Sequence, residues 1–210
     1  GLAEAEMPVV MVDETTLGIS SSADFSTQFV QGQYGKDGAG ASTYALNVTN
    51  GADSGLIDVA TGNPIVLFNN GGVIEGRVGN TSGPVDFTVS VNANTGVVTL
   101  TQLHAVKHPD TTNPDDIVSL GNAVNGINLT ETITDRDGDK ANASIDISDA
   151  LNFRDDGPSV KATPDTSAPE LLVDESNLAG DKSANFAGLF TPLFGADGPA
   201  ATGSSVFSLS

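Results

Sequence analysis

The sequence predicts an all-β protein, an antiparallel β-sandwich of Ig-like or related architecture. Two observations carry that prediction. The first is strict period-two alternation: Val85, Phe87, Val89 and Val91 are interleaved with Asp86, Thr88, Ser90 and Asn92, the pattern of a strand with one buried face. The second is regular punctuation of short apolar runs by Gly, Asn and Asp, with few stretches of helical period.

The elements follow in order. Residues 64–68 read as a strand that runs into Asn69-Asn70-Gly71-Gly72, and residues 73–78 return from it, which is a strong hairpin signal. After the alternating strand, Ala93-Asn94-Thr95-Gly96 forms a turn and residues 97–100 begin a return strand that extends towards Lys107. Residues 117–124 have room for one short helical turn. Residues 127–134 and 141–148 read as two strands around Asp135-Arg136-Asp137-Gly138-Asp139-Lys140; in the second, Ala141, Ala143, Ile145 and Ile147 share a face.

The chain also repeats itself. Val12-Asp13-Glu14-Thr15-Thr16-Leu17 recurs as Val173-Asp174-Glu175-Ser176-Asn177-Leu178, and the match continues through Phe25/Phe186 and Phe29/Phe190. After a one-residue slip, Tyr34-Gly35-Lys36-Asp37-Gly38 pairs with Phe194-Gly195-Ala196-Asp197-Gly198. A period of about 160 residues is close to a whole domain. The expected organisation is a leader over 1–11, one complete sandwich over 12–160, a Pro/Thr/Ser-rich linker over 161–172, and the start of the next copy over 173–210. Gly1 in place of an initiator Met reads as an excised piece, and no signal peptide is visible. Tandem arrays serve as scaffolds, stalks or adhesins more often than as enzymes, and adjacent copies are the first expected partners. Residues 173–210 are too few to bury Phe186, Leu189, Phe190, Leu193, Phe194 and Phe207 among themselves, so the fragment is expected to pack on the first copy or on a neighbouring molecule.

Composition excludes several function classes. With 27 acidic and 8 basic residues the formal net charge is -19, which disfavours nucleic acid and anionic membrane surfaces. No apolar run reaches membrane-span length, and the absence of Cys removes disulfides, thiolate metals and cysteine nucleophiles. Asp outnumbers Glu 20 to 7, and short carboxylates in loops suit hard cations. Calcium is therefore the expected cofactor, and the sandwich is expected to carry calcium-binding loops.

Asp135-x-Asp137-x-Asp139 is the strongest local motif, because alternating acids in a turn aim several carboxylates at one cation. It is not an EF-hand loop, since Gly138 stands fourth, Lys140 sixth, and no helices flank it. The plain alternative is a solvated Asp-Gly turn. Asp155-Asp156-Gly157-Pro158 closes the first copy, where a cation could clamp one copy to the next; Asp13-Glu14 and its echo Asp174-Glu175 open each copy, with Asp174 or Glu175 expected to share an ion with Asp155 or Asp156. Asp37 and its echo Asp197 complete the candidate acids. His104 and His108 read as ordinary surface histidines on a strand. No nucleophile elbow, phosphate loop or His-Glu-x-x-His occurs, and without Trp a sugar-stacking platform is poor, so an enzyme is not expected; a hydrolase is the remote alternative.

Taken in order, residues 73–78, 87–91, 98–102 with His108-Pro109-Asp110, Thr134 to Asp139, and Phe153-Arg154-Asp155-Asp156-Gly157-Pro158 resemble the large repeated domain of giant RTX adhesins, exported by type I secretion in aquatic Gram-negative bacteria. The resemblance implies secretion to the bacterial cell surface, calcium-dependent folding outside the cell, and attachment or biofilm formation through a peptide or glycan on a host or neighbouring cell. Some domains of this type are similar to the peptide-binding domain of an ice-binding adhesin, where calcium helps hold a peptide's C-terminal carboxylate. A dedicated peptide or glycan receptor module is thus the alternative, although Arg136 stands where many such loops carry a small residue.

Overall fold

The computed structural model describes residues 6–30, 34–36, 38–163, 168–176 and 179–209. The strands are, in chain order, β1 (Val10–Asp13), β2 (Ser20–Asp24), β3 (Ala39–Asn47), β4 (Ala52–Ile57), β5 (Pro64–Asn70), β6 (Val73–Val78) and β7 (Val85–Val91). They continue with β8 (Val97–Gln102), β9 (Ile117–Ser119), β10 (Asn128–Asp135), β11 (Lys140–Asp146), β12 (Leu151–Arg154), β13 (Ser159–Ala162) and β14 (Phe190–Leu193). Every helical segment among the described residues is a single three-residue 3-10 turn, so the protein is all-β. The short turn foreseen near residues 117–124 is one of these, Leu120–Asn122, preceded by β9.

A six-stranded antiparallel sheet, ordered β2-β8-β7-β6-β5-β4, forms one layer. Two three-stranded sheets, β11-β10-β3 and β1-β12-β9, cover it. The alternation in β7 does what it promised on its apolar side: Phe87 and Val89 are fully buried, as are Ile65, Leu67, Ile74, Val98 and Leu100 from neighbouring strands. From the facing layer Leu46, Leu129, Val10, Leu151 and Phe153 close the core. Phe87 and Phe153 meet edge to face at 5.2 Å, across the two layers. Gly76 in β6 leaves the space for that ring, since a Cβ there would overlap Phe87.

From β4 to β8 the six-stranded sheet is built from consecutive hairpins, so those pairings are local; only β2, on the outer side of β8, comes from a distant part of the chain. The small sheet β1-β12-β9 is different. β1 and β12 pair in parallel, Val10 with Leu151 through Asp13 with Arg154, although they open and close the copy. Parallel pairing brings the C-terminal ends of both strands to one end of the sandwich. β9 joins the other side of β12, with Ile117 opposite Arg154. Glu14, Asp116 and Asp155 each lie one residue from these paired positions, so the topology delivers all three to that end.

The second copy begins at the same end. β13, at the start of the expected linker, pairs antiparallel with β14 from the second copy, Ser159 with Leu193 through Ala162 with Phe190. The turn after β14 rests on the first copy: Gly195, at φ 71°, lies so close to the Asp156 carbonyl that any side chain would collide with it. The segment is therefore docked, but its large apolar side chains remain uncovered. Phe186, equivalent to fully buried Phe25, is 37 % exposed, and Phe190, Leu193 and Phe207 are also exposed. Phe190, Leu193 and Phe207 line an apolar groove of about 650 Å³ together with Val160, Pro192 and Val206, and Phe186 lines a second one of about 510 Å³ with Phe190 and Phe207.

Candidate metal centre

Glu14, the second acid of the duplicated pair, sits in the 3-10 turn Glu14–Thr16 that follows β1. Its neighbour Asp13 caps that turn by accepting from Thr15 N at 2.9 Å and stays exposed. Glu14 points inward and is only 2 % exposed. One carboxylate oxygen, Oε1, accepts from Gln102 Nε2 and from Val106 N at 2.8 Å. The other, Oε2, is buried and has no hydrogen-bond partner among the described residues.

His108 completes the buried part. Beyond β8 the chain does not continue as a strand to Lys107. It turns, and residues 105–107 are pinned to the β4–β5 connection by Val59 N to Ala105 O (3.3 Å) and Lys107 N to Ile57 O (2.8 Å). That path carries His108 inside, where it is 6 % exposed, which corrects the reading of both histidines as surface residues; His104 is the exposed one. Nε2 of His108 lies 3.6 Å from Glu14 Oε1, and Nδ1 lies 3.9 Å from Asp116 Oδ2. Both ring nitrogens are buried, and neither distance is a hydrogen bond. Asp155, half-buried at the end of β12, brings a third carboxylate. Ligand atoms of Glu14, His108 and Asp155 all lie within 4.8 Å of one another.

The electrostatics of this cluster are unbalanced. Glu14, Asp116 and Asp155 face one imidazole, so at most one positive charge meets three negative ones. Burial alone would pull His108 down, but Glu14, Asp155 and Asp116 outweigh it and its pKa is raised. Burial, with Glu14 and Asp116 adding to it, raises Asp155 against the opposing pull of His108. Arg154 does not relieve the cluster; it pairs with Asp115 at 2.7 Å and approaches Asp13 at 4.0 Å. Buried charge of this kind is ordinarily paired or bound to a metal.

Asp197 of the second copy lies nearby, two residues beyond Gly195, which abuts Asp156, and in a pocket shared with Leu17 and Ala105. It is solvent-exposed, yet desolvation and then Glu14 and Asp155 raise its carboxyl. Asp156 donates its backbone N–H to Asp155 Oδ1 at 2.8 Å and meets the second copy through its carbonyl. Asp174 and Glu175 are exposed, and Asp174 accepts from Ser176 N at 2.8 Å. The acid that the second copy brings to Asp155 is thus Asp197. Its equivalent in the first copy, Asp37, lies outside the described residues.

Asp135, Asp137 and Asp139 form a second cluster, also within 4.8 Å, at the exposed β10–β11 turn. Asp135 Oδ1 accepts from Gly138 N (3.0 Å) and Asp139 N (2.8 Å). A hydrogen bond shared between Asp135 and Asp137 holds the first below and pushes the second above the ordinary carboxylate range. The donors here are oxygens alone, the chemistry calcium takes; the buried cluster inserts an imidazole among its carboxylates, which an all-oxygen calcium shell does not use.

The pocket that Asp197 shares, of about 300 Å³, is lined by Leu17, Asp58, Asp86, His104, Ala105 and Asp197, among others. Asp86, which the alternation of β7 directs outward, is fully buried beneath the segment that follows β8. Its Oδ1 meets His104 Nδ1 at 3.0 Å, and its Oδ2 has no partner among the described residues.

Residues 9–148 match the family described as a domain of unknown function, DUF5801. The chain belongs to that family. Glu14, His108, Asp116 and the Asp135 turn fall inside the DUF5801 match, whereas Asp155 and Asp197 lie beyond its end. No curated protein and no solved structure matches the chain.

Proposed function

We propose that this DUF5801 domain is a calcium-stabilised repeat module of a secreted, cell-surface adhesin of the RTX type, one unit of a tandem array that extends from the cell and engages a peptide or glycan on another surface. The observation that supports it best is the joint between copies. The second copy does not hang from a free tether; it pairs β14 with β13 and seats its Gly195 turn on Asp156. A fixed joint suits an extended array, in which each module must hold its neighbour's orientation.

Calcium at Asp135, Asp137 and Asp139 would neutralise three crowded carboxylates and rigidify the β10–β11 turn. At the low calcium of a cytosol the same repulsion would keep the chain exportable. The apolar groove at the second copy lends no weight to the receptor alternative, because Phe190, which lines it, is the equivalent of Phe29, a residue packed against the core in the first copy.

The test couples stability to attachment. Calcium-loaded and calcium-stripped protein is melted, then immobilised on beads and scored for adhesion to bacterial and host-cell surfaces. Removal of calcium is expected to lower Tm by roughly 10 °C, the equivalent of about 3–4 kcal/mol of ligand stabilisation, and to abolish bead attachment. Identical melting and attachment in both states would overturn the reading.

A further inference from the structure

We propose that Glu14, His108 and Asp155 form a binding site for a divalent cation that accepts imidazole as well as carboxylate, an ion of the zinc or manganese class, and that Asp197 of the following copy closes the site. This goes beyond calcium stabilisation of the module and does not depend on an adhesive role.

The geometry points to an ion in two independent ways. The first is the convergence of three side chains from three separate parts of the chain, the turn after β1, the loop after β8 and the exit of β12, onto a space only a few ångströms wide. The second is that the atoms aimed into it are unpartnered. Glu14 Oε2 and both nitrogens of His108 are buried without hydrogen bonds, on side chains more than nine-tenths buried. An unmet buried carboxylate oxygen or imidazole nitrogen is costly, so Glu14 Oε2 and His108 Nε2 call for a partner, which an ion between them supplies. Glu14 Oε1 is meanwhile held by Gln102 and Val106 N, which orients the carboxylate and leaves Oε2 free to ligate.

The donor set selects the ion. Calcium and magnesium prefer shells of oxygen, whereas imidazole with carboxylates suits zinc and manganese. With Glu14, His108 and Asp155 supplying three ligands, a fourth position remains, as in three-ligand zinc sites. Asp116 Oδ2, 3.9 Å from His108 Nδ1, is placed to orient the ring through its other nitrogen when Nε2 takes the metal. Asp197 lies two residues beyond Gly195, which abuts Asp156, and shares a pocket with Leu17 and Ala105, so it is the acid of the following copy placed to take the fourth position and link the copies through the ion.

The experiment uses the whole chain stripped of metal and titrated separately with zinc, manganese and calcium chlorides. Three variants accompany it: His108→Gln, Asp197→Asn, and the double variant Asp135→Asn/Asp137→Asn. Zinc or manganese at about a hundred times Kd is expected to raise Tm by roughly 5–10 °C in the wild type and in the double variant. The rise should vanish in His108→Gln and be smaller in Asp197→Asn, while the response of His108→Gln to calcium is unchanged. Nitrogen-15 NMR of the histidine rings gives a readout that survives a folding defect in the variant: zinc should shift the ring resonances of His108 and leave those of His104 in place. A zinc response equal in wild type and His108→Gln, or ring resonances of His108 that ignore zinc and manganese, overturns the proposal and leaves the cluster as an imidazolium among carboxylates. Failure of the calcium arm alone counts against the adhesin reading and not against this site.

Discussion

Asp86→Asn should make the protein more stable at neutral pH, and the gain should disappear in acid. Asp86 is fully buried in β7, and one carboxylate oxygen has no partner among the described residues. Burial is the main force on it, opposed by the hydrogen bond from His104 and reinforced by Asp58, and its pKa is raised from 3.8 to about 6. That difference corresponds to about 3 kcal/mol at 1.36 kcal/mol per pH unit. The folded protein holds this proton more tightly than the unfolded chain does. The stabilising contribution is therefore fully present below the unfolded value and is lost as pH rises through about 6. At about pH 7.5 the fold carries a buried, half-satisfied anion. Asn removes the charge and keeps a hydrogen-bonding group towards His104, at the loss of a partly exposed ion pair. The net expected gain is about 2 kcal/mol, or roughly 4–8 °C in Tm at about pH 7.5, shrinking to near zero at about pH 4. Urea denaturation of both proteins across that range measures it directly. If Asp86→Asn is less stable than the wild type at neutral pH and indistinguishable from it in acid, Asp86 is a stabilised anion and the reasoning from burial fails.

Three further outcomes are expected. Gly76→Ala should cost about 1–3 kcal/mol by forcing the Phe87 ring away from Phe153, read as a lower urea midpoint with an unchanged slope. Asp135→Ala and Asp137→Ala should each weaken calcium binding in a calorimetric titration, whereas unaltered stoichiometry and affinity in both would leave the turn as a solvated Asp-Gly hairpin. Removing residues 171–210 should reduce binding of the dye ANS, because the exposed Phe186, Phe190 and Phe207 go with them; it should also lower the Tm of the first copy by a few degrees as β13 loses its partner, and increased dye binding would show that the fragment shields the first copy's core.

The local elements were legible because their signals are local. The β5–β6 hairpin, the alternation of β7 and the turn into β8 were written in contiguous residues, and the structure places strands on them. Duplication marked Glu14 and Asp197 as part of the repeat's design. What the sequence hid depends on pairings between distant segments. No residue pattern announces that β1 lies parallel to β12, and that pairing is what brings Glu14 to Asp155. His108 carries no periodic signal, since it follows a strand that ends at Gln102, and only tethering of residues 105–107 to the β4–β5 connection turns it inward. Asp86 misled for a related reason: alternation assigns it to the polar face, but that face is covered there by the chain leaving β8, whose Leu103 and His104 N–H groups bond to the Asp86 carbonyl.

The parallel β1–β12 pair also fixes how a repeat would respond to tension. The chain enters the module at one end of this pair and leaves it at the other, so a pull through the two termini drags the strands lengthwise past each other. The rungs from Val10–Leu151 to Asp13–Arg154 are then loaded side by side and must rupture as a group, instead of opening one after another as at the tip of a hairpin. Everything between them, from β2 to β11, is slack that stays hidden until this four-residue latch slips. Endurance under traction is set by the rate at which the latch fails, not by the equilibrium free energy of the sandwich behind it.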